Sequence, residues 1–226
     1  MNRISKYDVL RVFASFSIVL LHVSASYWSV VDVQSREFLV MTVYNSVTRF
    51  AVPVFFMLSG LFLVTPKREN VAVGKRVLKL VLLFYVWSAF YAFQGIAVDT
   101  LKGEFSMEVF RAAVERFIFG HIHMWFLQIL CGFYLLIPIA RQIRAKRETL
   151  RYYLLLWIVF RFLVPTLTEA FGLATLQARI DSLGLDMLVG NFGYFLLGYY
   201  LNTTNIRKEV RWCIYAMGIC SCEIKK

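Results

Sequence analysis

Six apolar runs follow one another along the chain, and each is close to the roughly 20 residues that an α-helix needs to cross a bilayer. They cover residues 9–31, 43–64, 77–98, 124–140, 152–170 and 187–201. The pattern predicts an all-α fold, a polytopic bundle with six complete transmembrane helices. The first run is too long for a signal peptide and no small-residue cleavage pattern follows it, so we expect it to stay in the mature protein.

Two shorter segments extend this picture. Residues 100–120 carry apolar side chains at helical spacing among mixed charges, which predicts an amphipathic helix that either lies at the outer membrane interface or caps the bundle. Near the C-terminus, the apolar residues 212–222 would span only about 16 Å as a helix, which is too short to cross. We interpret them as an incomplete seventh span, and we expect residues 1–226 to form a single integral membrane domain that is incomplete at its C-terminus.

Composition and charge exclude an ordinary soluble domain and predict an orientation. Apolar residues make up 59% of the chain, against roughly 45–50% in soluble domains. Lysine and arginine collect in alternate loops, at residues 3–6, 67–79, 141–151 and 207–211. Because cytoplasmic loops collect positive charge, the N-terminus is predicted to be cytoplasmic. The net charge of +11 is then a topology signal, and we expect membrane lipid and no nucleic acid as a partner.

The first span carries two ionisable side chains, Arg11 and His22. Eleven residues correspond to three helical turns plus about 20°, so the two share one face, about 16 Å apart along the axis. A polar stripe on this face also includes Asp8, Ser15, Ser26 and Ser29, whereas Ser17 and Ser24 fall outside it. Such a stripe is costly in lipid, and we expect it to line a cavity or to pack against polar groups. The structural alternatives are a histidine bonded between helices and an arginine that reaches the interface.

Two further arginines lie inside predicted spans. Arg49 is in the outer half of the second span, at a depth comparable with His22, and Arg161 is near the centre of the fifth. Each requires an anion or carbonyl oxygens around it, and a structural counter-ion role and a substrate role fit equally well. In the second span, Pro53, Ser59 and Gly60 predict close helix packing or a locally opened backbone.

An ordered set of motifs is similar to a known family. An arginine and a histidine in the first helix are followed by VPVFFMLSGLFL, then HMWFL at residues 123–127, then YFLLGYYL at residues 194–201. The set covers essentially the whole chain and resembles the acyltransferase 3 family of bacterial membrane O-acyltransferases, in particular members that acetylate surface polysaccharides. Family members usually have about ten spans, and this chain ends in the seventh.

The resemblance implies an enzyme of the bacterial inner membrane. It would move an acetyl group from acetyl-CoA to a hydroxyl of a cell-surface carbohydrate or a lipid-linked glycan. His22, biased towards neutral imidazole by desolvation, is the candidate general base. Arg11 would orient the donor or stabilise charge. No metal is expected, since His121 and His123 lack a visible third ligand.

Other residues are candidates for binding. Lys75 and Arg76 could attract the phosphates of CoA, although the positive-inside pattern also explains them. His123 matches the histidine of the family's HMWFL-like motif and lies beside Trp125, where an interfacial aromatic belt is the alternative. Together with Arg49 and Arg161, these two are the predicted substrate-binding residues.

Two other functions remain open at this stage. A multi-pass transporter could use the same polar stripe as a permeation path, with His22 as a proton relay. Alternatively, the chain could be an inactive truncated fragment of the acyltransferase.

Overall fold

The computed structural model describes residues 5–28, 31–65, 73–103, 106–121, 124–185 and 190–205. In this part of the chain the regular structure is entirely helical, which confirms the all-α prediction. The helices are α1 (Ser5–Trp28), α2 (Arg36–Thr48), α3 (Ala51–Val64), α4 (Val73–Leu101), α5 (Met107–Phe119), α6 (Trp125–Leu135), α7 (Ile137–Ala145), α8 (Arg147–Ile158), α9 (Val164–Ala170), α10 (Ala174–Asp181) and α11 (Phe192–Thr203), with a π-helical turn, Val159–Leu163, between α8 and α9.

Four helical segments are long and apolar enough to cross a membrane, namely Lys6–Ser26, Arg36–Val64, Val73–Leu101 and Arg147–Ala170. The bent pair α6 and α7 makes a fifth if it is counted as one span. In the sixth predicted span, α11 has 12 residues, or about 18 Å. The described residues therefore support four to five spans, and the count of six and the cytoplasmic N-terminus stay predictions. The predicted seventh span lies outside the described residues.

Proline explains why three predicted spans are interrupted. Pro53, Pro138 and Pro165 lie in the first turns of α3, α7 and α9. Proline has no amide hydrogen to donate and its ring clashes with the carbonyl four residues earlier. The continuous helix therefore ends at the turn before α3 and before α7, and it widens into the π-helical turn before α9. The locally opened backbone predicted at Pro53 is confirmed.

Contacts divide the chain into two compact units, residues 1–69 with 140–226 (unit 1) and residues 70–139 (unit 2). In unit 1, α3 and α11 cross in backbone contact. A methyl group at Gly60 would overlap the carbonyl of Phe195, and one at Gly198 would overlap the carbonyl of Met57. Close packing predicted at Gly60 is thus confirmed, and it matches the use of small residues where membrane helices approach closely.

Aromatic contacts fix how the helices of unit 1 run. Tyr7 meets Phe62 edge-on with ring centroids 5.7 Å apart, and Phe13 stacks on Phe50 at 5.8 Å, so α1 and α3 are antiparallel. The Trp157 indole N–H donates to the Gly190 carbonyl at 2.9 Å.

The ends of unit 1 meet through polar contacts. The Arg147 guanidinium, at the start of α8, donates to the Thr204 hydroxyl, just after α11, at 3.1 Å. Because the hydrogen bond from Trp157 to Gly190 joins the other ends of these two helices, α8 and α11 are antiparallel. The Tyr7 hydroxyl donates to the Asn202 side-chain oxygen. The start of α1, the end of α3, the start of α8 and the end of α11 therefore share one end of unit 1, which we call the Arg11 end. Helices that cross a membrane in alternating directions require these four helix ends to lie on the same side.

Unit 2 is built on α4. Ser106 caps the start of α5, and its hydroxyl accepts from the Val109 amide at 3.3 Å. Gly120, with a φ of 80°, caps the end of the helix. It packs along α4 through Tyr85 and Phe117, with ring centroids 5.6 Å apart. The amphipathic helix predicted within residues 100–120 is confirmed. Phe105, one of the apolar residues of that segment, lies outside the described residues.

Candidate functional site

Arg11 is held at the Arg11 end by contacts from two helices. Its Nη1 lies 3.9 Å from a carboxylate oxygen of Asp8, and 43% of its side chain is exposed. The guanidinium carbon lies 4.4 Å from the centre of the Phe62 ring, within the range of a cation–π contact. The charge is therefore fixed in place while part of the guanidinium faces outward, where it can meet an anionic group.

Tyr7 joins this group to a third helix. Its ring packs edge-on against Phe62 and its hydroxyl bonds Asn202 on α11. The arrangement ties α1, α3 and α11 together around the guanidinium of Arg11.

His22 lies three turns further along α1 and is partly buried. In its stripe, Ser15 and Ser26 are exposed, whereas Ser17 and Ser24, which the sequence places outside the stripe, are buried. The Ser17 and Ser24 hydroxyls donate to backbone carbonyls of their own helix, at 2.9 Å each. The stripe thus follows the edge of the packed face of α1, and Ser29 lies outside the described residues.

A groove of about 470 Å³ lies between α1 and α2. On α1 it is lined by Leu20, Val23 and Ser24, and Leu20 and Ser24 project about 160° away from His22 around the helix. This groove is therefore not the cavity expected along the polar stripe.

Arg49 ends α2 at the break before α3 and is exposed. Its Nε donates to the side-chain oxygen of buried Asn45 at 2.9 Å. Because the next residue, Phe50, stacks on Phe13, Arg49 lies closer in depth to Arg11 than to His22. The expected match with the depth of His22 is not met, because the second membrane-crossing segment begins at Arg36 and Arg49 lies near its middle.

Arg161 lies in the π-helical turn and is exposed. Its guanidinium lies close enough to the hydroxyl of Tyr194 on α11 to interact with it. The Tyr194 ring also meets Trp157 edge-on at 4.7 Å. An aromatic hydroxyl is therefore a partner of Arg161.

The remaining candidates belong to unit 2. Lys75 and Arg76 lie in the first turn of α4, exposed and partly exposed respectively. Trp125 begins α6 and is 39% exposed. His123 lies outside the described residues. His121, the other histidine of that segment, stacks on Tyr91 with ring centroids 4.6 Å apart.

Comparison with known families gives the class of the protein. A family model described as an acyltransferase domain matches residues 4–221, so the long apolar helices belong to a membrane acyltransferase. The chain belongs to the acyltransferase 3 family, as the ordered motifs predicted. No curated protein and no solved structure matches it.

Proposed function

We propose that the protein transfers an acetyl group from acetyl-CoA to a hydroxyl of a cell-surface carbohydrate or lipid-linked glycan at the bacterial inner membrane. The supporting observation is the fixed guanidinium of Arg11, between Asp8 and Phe62, three turns from His22 on the same helix. In CoA the long pantetheine arm separates the phosphates from the thioester. Arg11 would bind the anionic part of the donor, and the thioester would extend towards His22.

His22 would act as the general base. Its neutral imidazole accepts the proton of the acceptor hydroxyl while the hydroxyl oxygen bonds to the thioester carbonyl carbon. The tetrahedral intermediate then expels the sulfur of CoA as the C–S bond breaks, and the imidazolium returns the proton to that sulfur. The products are the O-acetyl sugar and free CoA, and the enzyme is regenerated without a metal or a redox step.

The other candidates would serve the two substrates. Arg49 and Arg161 in unit 1, and His123 and Trp125 in unit 2, are candidates for acceptor binding. Lys75 and Arg76 are candidates for contact with the donor phosphates. Exposed arginines and tryptophan offer the hydrogen bonds and flat surfaces on which carbohydrates and their anionic groups bind.

Substitution of His22 tests the proposal. In membranes that contain the chain, transfer of radiolabelled acetyl from acetyl-CoA to membrane glycans should fall by about 10²- to 10⁴-fold in His22→Ala, the range for loss of a general base. Arg11→Ala should chiefly raise the KM for acetyl-CoA. The KM of Arg11→Lys should lie between those of the wild type and Arg11→Ala.

Ser17→Ala is the matched control on the same helix, because Ser17 lies outside the stripe and bonds its own backbone. It should keep wild-type transfer. Undiminished transfer in His22→Ala would remove histidine as the base. Substrate flux in proteoliposomes without an acyl donor would instead favour a transporter.

A further inference from the structure

The groove between α1 and α2 has apolar walls. On α1, Leu20 and Val23 present hydrocarbon, and the hydroxyl of Ser24 is already bonded to a backbone carbonyl of its own helix at 2.9 Å. Val40 and Met41 continue the apolar surface on α2. Val40 is 43% exposed, so the groove is open at the surface of unit 1. Its volume of about 470 Å³ is in the range of small-ligand sites, and its walls suit a hydrocarbon chain.

One end of this groove is charged. Arg36 and Glu37, in the first turn of α2, both line it. Ser35 fixes that turn, because its hydroxyl accepts from the Phe38 amide at 3.1 Å. From Arg36 the lining of α2 continues to Tyr44, which is about 12 Å further along the helix. The groove therefore has a charged mouth at the start of α2 and an apolar body that follows the helix.

The mouth lies where lipid headgroups lie. Lys6–Ser26 and Arg36–Val64 are both long and apolar enough to cross a membrane, so the loop between them and the first turn of α2 lie at the membrane surface. The groove then runs from the headgroup region into the hydrocarbon layer, as a phospholipid does. Lipid tails surround every spanning helix, so hydrocarbon contact alone selects no particular lipid. The charged mouth must make the selection.

The two charges at the mouth are opposite in sign and both are exposed. Consecutive residues of a helix do not face each other, and among the described residues neither Arg36 nor Glu37 forms an ion pair. A phosphatidylethanolamine headgroup complements both charges, because its phosphate suits a guanidinium and its primary ammonium donates hydrogen bonds to a carboxylate. Phosphatidylglycerol has no cation, and the quaternary ammonium of phosphatidylcholine has no N–H to donate.

We propose that the groove between α1 and α2 is a binding site for phosphatidylethanolamine. Arg36 binds the phosphate, Glu37 binds the ammonium, and an acyl chain lies along Val40 and the apolar wall of α1. The site is distinct from the proposed catalytic stripe, because Leu20 projects about 160° away from His22 around α1. It therefore goes beyond acyl transfer and does not depend on it.

Native mass spectrometry of the whole chain tests the site. The chain, purified in detergent, is incubated with an equimolar mixture of phosphatidylethanolamine, phosphatidylglycerol and phosphatidylcholine with identical acyl chains, and bound lipid is identified by its mass. Phosphatidylethanolamine should be retained about two- to fivefold over each of the others, because exposed ion pairs are individually weak. Glu37→Gln should remove this preference. Arg36→Gln should lower retention of phosphatidylethanolamine by about the same factor.

Glu108→Gln is the matched control. Glu108 is exposed and lies in the first turn of α5, which begins after a serine cap as α2 does, but it belongs to unit 2. This variant should keep the wild-type preference. Val40→Trp should fill the groove and reduce retention of all three lipids.

Equal retention of the three lipids by the wild type would overturn the proposal. So would a preference for phosphatidylethanolamine that survives in both Glu37→Gln and Arg36→Gln, since it would then arise elsewhere on the chain. The same spectra report the oligomeric state. A dimer that forms without lipid and is lost in Val40→Trp would assign the groove to a second copy of the chain. None of these results bears on acetyl transfer, which the His22 variants test separately.

Discussion

At the scale of single residues, the orientation of Arg11 depends on a neighbour that carries no charge. Asp8 lies 3.9 Å away and both side chains are partly exposed, so the ion pair by itself contributes little. The Phe62 ring gives the guanidinium a face to lie on, and Tyr7 holds that ring from its edge. We therefore assign Phe62 as a positioning residue for Arg11.

Phe62→Leu keeps the apolar volume and removes the aromatic face. A cation–π contact of this kind contributes roughly 0.5–2 kcal/mol, so the KM for acetyl-CoA should rise about two- to thirtyfold, with kcat less affected. Initial rates over a range of acetyl-CoA concentrations measure the split. Phe62→Tyr keeps the ring and should have the wild-type KM for acetyl-CoA. Equal KM values for Phe62→Leu and Phe62→Tyr would show that the ring does not position Arg11.

Helical spacing within one span was enough to predict that Arg11 and His22 share a face of α1. The residues of other helices that contact Arg11 and Tyr7 could not be predicted in this way. Phe62 and Asn202 reach Tyr7 and Arg11 from helices that are about 50 and 190 residues away in the chain. Spacing within one span carries no information on such contacts. The depth of Arg49 was missed for a related reason, since it depends on the stacking of Phe50 on Phe13.

At the scale of helices, two mid-span arginines share a relation to proline. Pro53 lies four residues after Arg49, and Pro165 lies four residues after Arg161. In each case the arginine carbonyl loses its usual helical donor. Each side chain nevertheless has a polar partner, Asn45 for Arg49 and Tyr194 for Arg161. The breaks therefore place a cation and a weakened backbone together within an apolar span.

The crossing of α3 and α11 depends on the absence of side chains at Gly60 and Gly198. Gly60→Ala would force the added methyl group into the Phe195 carbonyl, and overpacking of this kind costs about 1–3 kcal/mol. The midpoint of thermal unfolding in detergent, followed by circular dichroism, should fall.

Gly132→Ala is the control, because a methyl group there meets no atom within 4 Å. Removing a helical glycine in open space should leave stability unchanged or raise it by up to about 1 kcal/mol. Equal midpoints for Gly60→Ala and Gly132→Ala would show that the two backbones do not touch at this crossing.

At the scale of the whole molecule, hydropathy predicted where apolar helices occur but not where they are interrupted. Each predicted span contains a described helix, yet the second, fourth and fifth are divided at or near proline. Average hydrophobicity over a window does not register one missing amide hydrogen. The bend between α6 and α7 makes the fourth span conditional, and α11 has 12 residues, so the described residues give four to five candidate spans where the apolar runs predicted six.

The direction of the bundle decides whether the donor can reach Arg11. Acetyl-CoA is made in the cytoplasm, so the Arg11 end must face the cytoplasm if this surface binds it. Gln34 and Asn205 are both exposed, one in the loop between α1 and α2 and the other just after α11 at the Arg11 end. In a variant without native cysteines, Gln34→Cys should react with a membrane-impermeant thiol reagent in intact spheroplasts, and Asn205→Cys only after permeabilisation. The reverse pattern would put Arg11 outside the cell, where no CoA is available. The proposal that Arg11 binds the donor would then be wrong, although the packing of unit 1 would stand.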